Sequence, residues 1–511
     1  MLSCRWLVFP LLVVCAGNAA SVFAADRLPN IVLIYGDDVG YGDISANGSS
    51  AVRTPNIDRI AADGLRFTDA HSSAATCTPS RFAMLTGQYA FRQKGTGVLA
   101  GNANLIIGTE LTTLPGLLKQ AGYATAMVGK WHLGLGRGEV DWNAEIAPGP
   151  KQIGFDYHFI IPATGDRVPC VYVEQSRVVD LDPADPIRVS YGSRIDHEPS
   201  GAERVDLLKQ AWSHGHNQSI VNGISRIGWM TGGKSARWID EDMADVITHK
   251  ATTFLDQHRD KPFFLMFATQ DIHVPRVPHS RFAGKSGLGL RGDAIMQLDA
   301  CVGSLLDKLD ELKLTDNTLV IFTSDNGPVL DDGYVDEANE RLGSHDPNGP
   351  WRAGKYSRFE GGTRVPLLVR FPSVVEKGTE KSSGKVSDAL FGQVDLCHSL
   401  AKLAGVPVAS DVCIDSRDEL DTLLGRDATG RPHLIHEAGE LALRMGKFKF
   451  VPPGKTRDKL GPWTDAVIDK PGALYDLAQD ATEATNIGRT QSEQLQKMIR
   501  QVAAIRAGGD R

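Results

Sequence analysis

The chain alternates between two hydrophobic patterns. Short continuous apolar runs rich in β-branched residues read as strands buried on both faces, and longer stretches with apolar residues every three or four positions read as helices. "NIVLIYGDD" opens the series as a strand that stops at Asp37 and Asp38. "TLPGLLKQAGYATAMVGKWHLG" follows as helix, a turn at Gly122, strand and loop. "ADVITHKATTFLDQHRDKPFFLMFATQDIH" adds a helix and the strand Phe263 to Ala268, and "AIMQLDACVGSLLDKLDELKLTDNTLVIFTSDNG" repeats the pair with the strand Thr318 to Thr323. Such alternation predicts the α/β class, a sheet covered by helices on both faces. After the amphipathic "GQVDLCHSLAKLAGVPVA" the pattern changes near residue 413. "HLIHEAGELALRMGKFKFVPP" reads as a hairpin, "ALYDLAQD" as a third strand and "SEQLQKMIRQVAAIRAG" as a last helix, so residues 413–511 are expected to form a smaller α+β domain with an antiparallel sheet.

The N-terminus follows neither pattern. Arg5, an apolar run from Trp6 to Val14 and small residues ending at Ala24 form a secretory signal over residues 1–24. The run is shorter than the roughly 20 residues that cross a bilayer, so export to the periplasm or beyond, without stable membrane insertion, is expected. Cleavage after Ala24 removes Cys4 and Cys15 and leaves Cys77, Cys170, Cys301, Cys397 and Cys413. So few cysteines in 511 residues mean that a hydrophobic core, not a disulfide framework, holds the fold. Their odd number singles out Cys77, the one in polar, turn-forming company. The length suggests more than one domain, 42% hydrophobic content is ordinary for a globular protein, and a net charge of −7 argues against a nucleic-acid partner.

Four predicted strands end in polar clusters: Asp37 with Asp38, Lys130 with His132, Asp271 with His273, and Asp325 with Asn326. Each alone reads as structure, whether a turn, a helix cap or a satisfied loop histidine. Carboxyl ends of strands line the ligand crevice of α/β sheets, so the recurrence points to one site over residues 26–412. Asp37, Asp38, Asp325 and Asn326 offer only oxygen, which suits Ca²⁺ before Mg²⁺. Arg81, Lys130, Lys355 and the two histidines supply donors for a tetrahedral oxyanion, so a sulfate or phosphate ester is the expected substrate group.

Cys77-Thr78-Pro79-Ser80-Arg81 is similar to the Cys-x-Pro-x-Arg signature of type I, formylglycine-dependent sulfatases. "DDVGYGD", "GKWHLG", "HVPRVPH", "TSDNG", "GKYSRFEGGTRVP" and "ALYDLAQDATEATNIG" extend the resemblance along nearly the whole mature chain, though the residues after Lys355 depart from the usual pattern. The resemblance implies an alkaline-phosphatase-like large mixed sheet with a small C-terminal domain, and an arylsulfatase-type sulfuric ester hydrolase. It implies that a formylglycine-generating enzyme converts Cys77 to an aldehyde whose hydrate attacks sulfur, the second hydroxyl then expelling sulfate. It further implies one Ca²⁺ on Asp37, Asp38, Asp325, Asn326 and an oxygen of the modified Cys77. Arg81 would stabilise the hydrate, His132 take its proton, and Lys130 and Lys355 hold sulfate oxygens. His273, rather than its rival His279, would protonate the leaving alcohol.

Residues 139–239 carry Trp142, Asp166, Arg167, Arg194, His197, His214, His216, Trp229 and Trp238 without clean periodicity. A long irregular segment in a compact domain is usually functional, so this one is expected to form a sugar-binding rim, with Asp166 and Arg167 as substrate contacts. A sulfated polysaccharide or its oligosaccharides is the preferred substrate class. The rival functions are a phosphonate or phosphate ester hydrolase on the same fold, and an inactive binder of sulfated glycans.

Overall fold

In a computed structural model that describes residues 28–195, 197–372 and 384–508, ten strands form one mixed sheet. The predicted signal segment lies outside the described residues. The strands are β1 (Asn30–Gly36), β2 (Leu65–Phe67), β3 (Ala124–Lys130), β4 (Tyr157–Ile161), β5 (Val173–Glu174), β6 (Arg177–Val178), β7 (Phe263–Ala268), β8 (Thr318–Ser324), β9 (Leu367–Arg370) and β10 (Lys385–Ser387). Their order is β10-β2-β9-β8-β1-β7-β3-β4-β5-β6. The five central strands, β8-β1-β7-β3-β4, are parallel; β9 and β2 on one side and β5 and β6 on the other join antiparallel, and β10 forms the edge parallel to β2. Every residue of β1, β3, β7 and β8 is buried, as the uninterrupted apolar runs require. In register, Ile34 of β1 lies between Phe267 and Phe322, so the central strands end at one level.

Two groups of helices flank the sheet: α1 (Pro55–Ala62), α4 (Met243–Gln257) and α5 (Gly289–Glu311) pack together, as do α2 (Cys77–Thr86), α3 (Leu114–Gln120) and α6 (Leu396–Leu403). All ten residues of α2 are buried. Gly87 ends it in the left-handed conformation at φ 64°, where a Cβ would come within 2.6 Å of the Cys413 Cβ. The sulfurs of Cys397 and Cys413 meet behind that turn at 2.9 Å. Cys413 and Leu423 still belong to the core of the large sheet.

The C-terminal antiparallel sheet has the order β11 (His433–Ala438), β12 (Glu440–Met445), β13 (Phe448–Val451) and β16 (Ala473–Asp476), with the helix α7 (Ser492–Arg506) against it. Between β13 and β16 the chain makes the hairpin β14 (Gly454–Arg457) and β15 (Asp465–Ile468). A buried ionic cluster joins this sheet to the larger one. Arg444 of β12 pairs with Asp69 at 2.9 Å and with Glu360, and Lys449 of β13 reaches Glu360 at 3.1 Å. Arg364 pairs with the same two acids at 3.0 Å each. Asp69, His71 and Glu360 have the spacing of a metal site, but the protein's own cations already neutralise the two carboxylates.

Candidate active site

The ends of the parallel strands bring the polar clusters to one place. β1 runs out into Asp37 and Asp38, β3 ends on Lys130, β7 leads to His273, and β8 leads to Asp325 and Asn326. Asp38 takes φ 59° and His132 φ 53°, left-handed values that let the chain turn away directly after the strand. Cys77 joins them as the first residue of α2. Donor atoms of Asp37, Asp38, Cys77 and His273 all lie within 4.8 Å of one another.

Beneath these residues the charges interlock. Arg81, one turn into α2, donates from Nε at 3.0 Å and Nη2 at 2.7 Å to Asp325 Oδ2, and from Nη1 at 3.0 Å to the Lys130 carbonyl. Lys130 Nζ donates to Asp37 and stands 3.7 Å from Asp325. Lys355 Nζ lies 3.0 Å from Asp38 and 2.9 Å from Asp332. Burial works to raise the Asp325 carboxyl, but Arg81 first, then Lys130 and Lys355, hold it below the usual carboxylate range. Burial and the charge of Asp325 push the Asp37 carboxyl well above that range. Burial pushes the Cys77 thiol up to about 12, so it rests protonated.

Both histidines are kept neutral, by burial first and then by the nearby lysines. His132 Nε2 donates to the Leu99 carbonyl at 3.0 Å, which leaves a bare lone pair on Nδ1, a buried atom with no protein partner. His273 Nδ1 donates to the Val274 carbonyl at 2.7 Å, and its Nε2 stands 3.9 Å from Asp38.

The oxygens suit a hard cation. Asn326 donates from Nδ2 to Asp38 at 2.7 Å, while its Oδ1 is buried without a donor. An orphaned amide oxygen beside three carboxylates is the donor set a divalent ion of the Ca²⁺ type takes.

Above the cluster opens a pocket of about 70 Å³, lined by Cys77, His132, His273 and Lys355 and by Asp166, Arg167 and His216 from the long irregular segment. Asp166 is anchored by Arg167 at 2.6 Å and by His216 at 2.9 Å. His279 turns to other work, its amide donating to Gln297 and its ring accepting from the Arg281 amide. Of the remaining residues expected on the rim, Trp142 and Trp238 are 3% exposed and belong to the core, and Trp229 lies under Arg194. Asp332 and Tyr356 also line the pocket and were not foreseen. Asp332 holds both Lys355 and, at 3.0 Å, the Tyr356 hydroxyl. The pair Asp331-Asp332 repeats the double aspartate of β1 without a strand before it, so a search of strand ends passes over it.

The family model described as Sulfatase matches residues 29–406. An N-acetylgalactosamine-6-O-sulfatase of Bacteroides thetaiotaomicron is 50% identical over 483 residues, 94% of this chain and 93% of that protein. Human arylsulfatase A is 34% identical over 92% of this chain and 85% of its own. A solved structure described under metabolism of multiple glycosaminoglycans by Bacteroides thetaiotaomicron superimposes with a TM-score of 0.90 at 49% identity, covering 94% of this chain and all of that one.

Proposed function

The chain belongs to the sulfatase family and hydrolyses sulfate esters, and on that premise we propose that it removes the 6-O-sulfate of N-acetylgalactosamine in a sulfated glycan, using a Cys77 converted to formylglycine. The substrate follows the activity for which the 50% identical relative is named. The observation that carries the reading is the convergence of Cys77, Lys355, His132 and His273 on one pocket with Asp166 and Arg167.

Asp37, Asp38, Asp325, Asn326 and an oxygen on residue 77 would hold Ca²⁺, which when bound supplies fixed positive charge beside the reacting group. Converted Cys77 supplies a hydrated aldehyde, one hydroxyl to attack sulfur and one to release sulfate. Arg81, braced on Asp325, steadies that hydrate. Lys130 and Lys355 bind sulfate oxygens and offset charge as the ester bond breaks. The free lone pair at His132 Nδ1 accepts the hydrate's proton, and His273, once the anionic sulfate group beside it favours a second proton on Nε2, gives that proton to the departing sugar oxygen. Asp166 accepts from, and Arg167 donates to, hydroxyls of the sugar ring. A formylglycine-generating enzyme is the maturation partner, and the signal segment takes the chain to the periplasm or beyond.

The test is the mass of the peptide containing residue 77 from an active preparation. An aldehyde residue is expected there, and an unmodified thiol throughout the active protein overturns the mechanism.

A further inference from the structure

The large aromatic side chain that stands open beside the pocket does not come from the 139–239 segment. It is Trp463, 60% exposed, in the connection between β14 and β15 of the C-terminal domain. Its ring centroid is 5.5 Å from that of Tyr356, which lines the pocket together with Cys77 and Lys355. The indole is held firmly for so exposed a group. Nε1 donates to Asp465 at 3.1 Å, and the Arg457 guanidinium lies 4.6 Å from the ring centroid. That guanidinium is itself tied to the carbonyls of Lys459, Leu460 and Gly461 at 3.1 to 3.2 Å. The hairpin is also fastened to the segment that carries Lys355. Ser357 Oγ donates to the Arg457 carbonyl at 2.6 Å, and the Arg358 amide to Thr456 Oγ1 at 2.9 Å.

A scattered surface tryptophan needs no explanation, but one whose edge and one face are pinned beside a reaction pocket has lost its rotamer freedom before any ligand arrives. A pyranose ring presents an apolar face of C–H groups, which packs on the negative face of an indole, and its hydroxyls remain in water. We propose that Trp463 is the stacking platform for the sugar next to the sulfated one, so that the C-terminal domain supplies a second subsite to a pocket whose reacting groups all lie in the larger domain. The proposal rests on the reading of the substrate as a sulfated carbohydrate.

Steady-state kinetics of the matured enzyme test it with two substrates: N-acetylgalactosamine 6-O-sulfate alone, and an oligosaccharide in which the same residue is joined to its neighbours. Trp463→Ala is expected to raise KM for the oligosaccharide about tenfold, the equivalent of roughly 1.4 kcal/mol, with kcat unchanged and the monosaccharide unaffected. Trp463→Phe is expected to restore most of the loss. Equal KM values for wild type and Trp463→Ala on the oligosaccharide overturn the platform, and so does a parallel change on both substrates, which marks a structural role. Wild type that cleaves neither sugar, yet turns over nitrophenyl sulfate, overturns the carbohydrate reading and the platform with it.

Discussion

Asp43 shows how much one buried side chain can hold. It sits fully buried in a short helical turn after β1, where Arg291 of α5 donates to both of its oxygens at 2.7 and 2.6 Å and His345 Nε2 meets it at 2.8 Å. Burial works to raise its pKa, but Arg291 and His345 outweigh that and lower it from 3.8 to about 2. A lowered folded-state pKa contributes stability above the unfolded value, lost as pH falls through the folded one. Unfolding free energy is therefore expected to drop by about 2 kcal/mol on this account as pH falls from above 4 toward 2. Denaturant titrations over that range should show this part of the fall missing from Asp43→Asn, and an equal fall in both proteins contradicts the assignment. The sequence places Asp43 at the end of the DDVGYGD motif but gives no sign of what it binds, because its partners lie hundreds of positions away. Asp37 and Asp38, by contrast, were legible because an abrupt polar stop after an apolar run is a local signal.

Among the elements, α2 is buried along its whole length, as the central strands are, and is closed by a glycine that has no room for a methyl group. Gly87→Ala imposes a left-handed backbone on alanine and drives its Cβ against Cys413 and Cys397. A loss of about 2–4 kcal/mol is expected in equilibrium denaturation, the sum of backbone strain and overpacking. A loss below about 1 kcal/mol, the cost of the backbone strain alone, shows that the Cys413 segment yields freely. Sequence patterns found four of the five central strands, β1, β3, β7 and β8, because burial on both faces leaves an unbroken apolar run; β4 went unread inside the irregular segment. They did not find the strand order, which depends on pairing between distant segments, or the two-residue strands β5 and β6, too short for any periodicity. The same limit misplaced the aromatic rim. Tryptophans in an irregular segment carry no sign of facing in or out, so Trp142 and Trp238 looked like surface and proved to be core, while Trp463, in a hairpin connection, went unmarked.

For the molecule as a whole, the ionic cluster around Glu360 decides whether the C-terminal sheet is an accessory or a brace. Glu360 lies just after the segment of Lys355, and the next residues pack on the loop of Asn326, where the Gly327 amide donates to the Gly362 carbonyl at 3.0 Å. Arg444→Ala leaves Asp69 and Glu360 short of a buried partner, and a loss of about 3–5 kcal/mol is expected in denaturant unfolding. If the sheet braces the pocket, kcat on nitrophenyl sulfate falls as well in the folded variant, and stability lost without any change in kcat confines the cluster to holding the domains together. The smaller C-terminal antiparallel sheet was visible in the change of pattern after α6, whereas the cluster that joins it to the large sheet was not, since its charges are scattered from Asp69 to Lys449. One further consequence concerns time. Cys77 is 1% exposed, at the start of a helix with no exposed residue, under a pocket of about 70 Å³. That pocket has room for a small ester group and not for another protein's catalytic groups. Any enzyme that alters Cys77 therefore meets a chain that has not yet folded, and the folded molecule keeps whatever residue 77 had become by then.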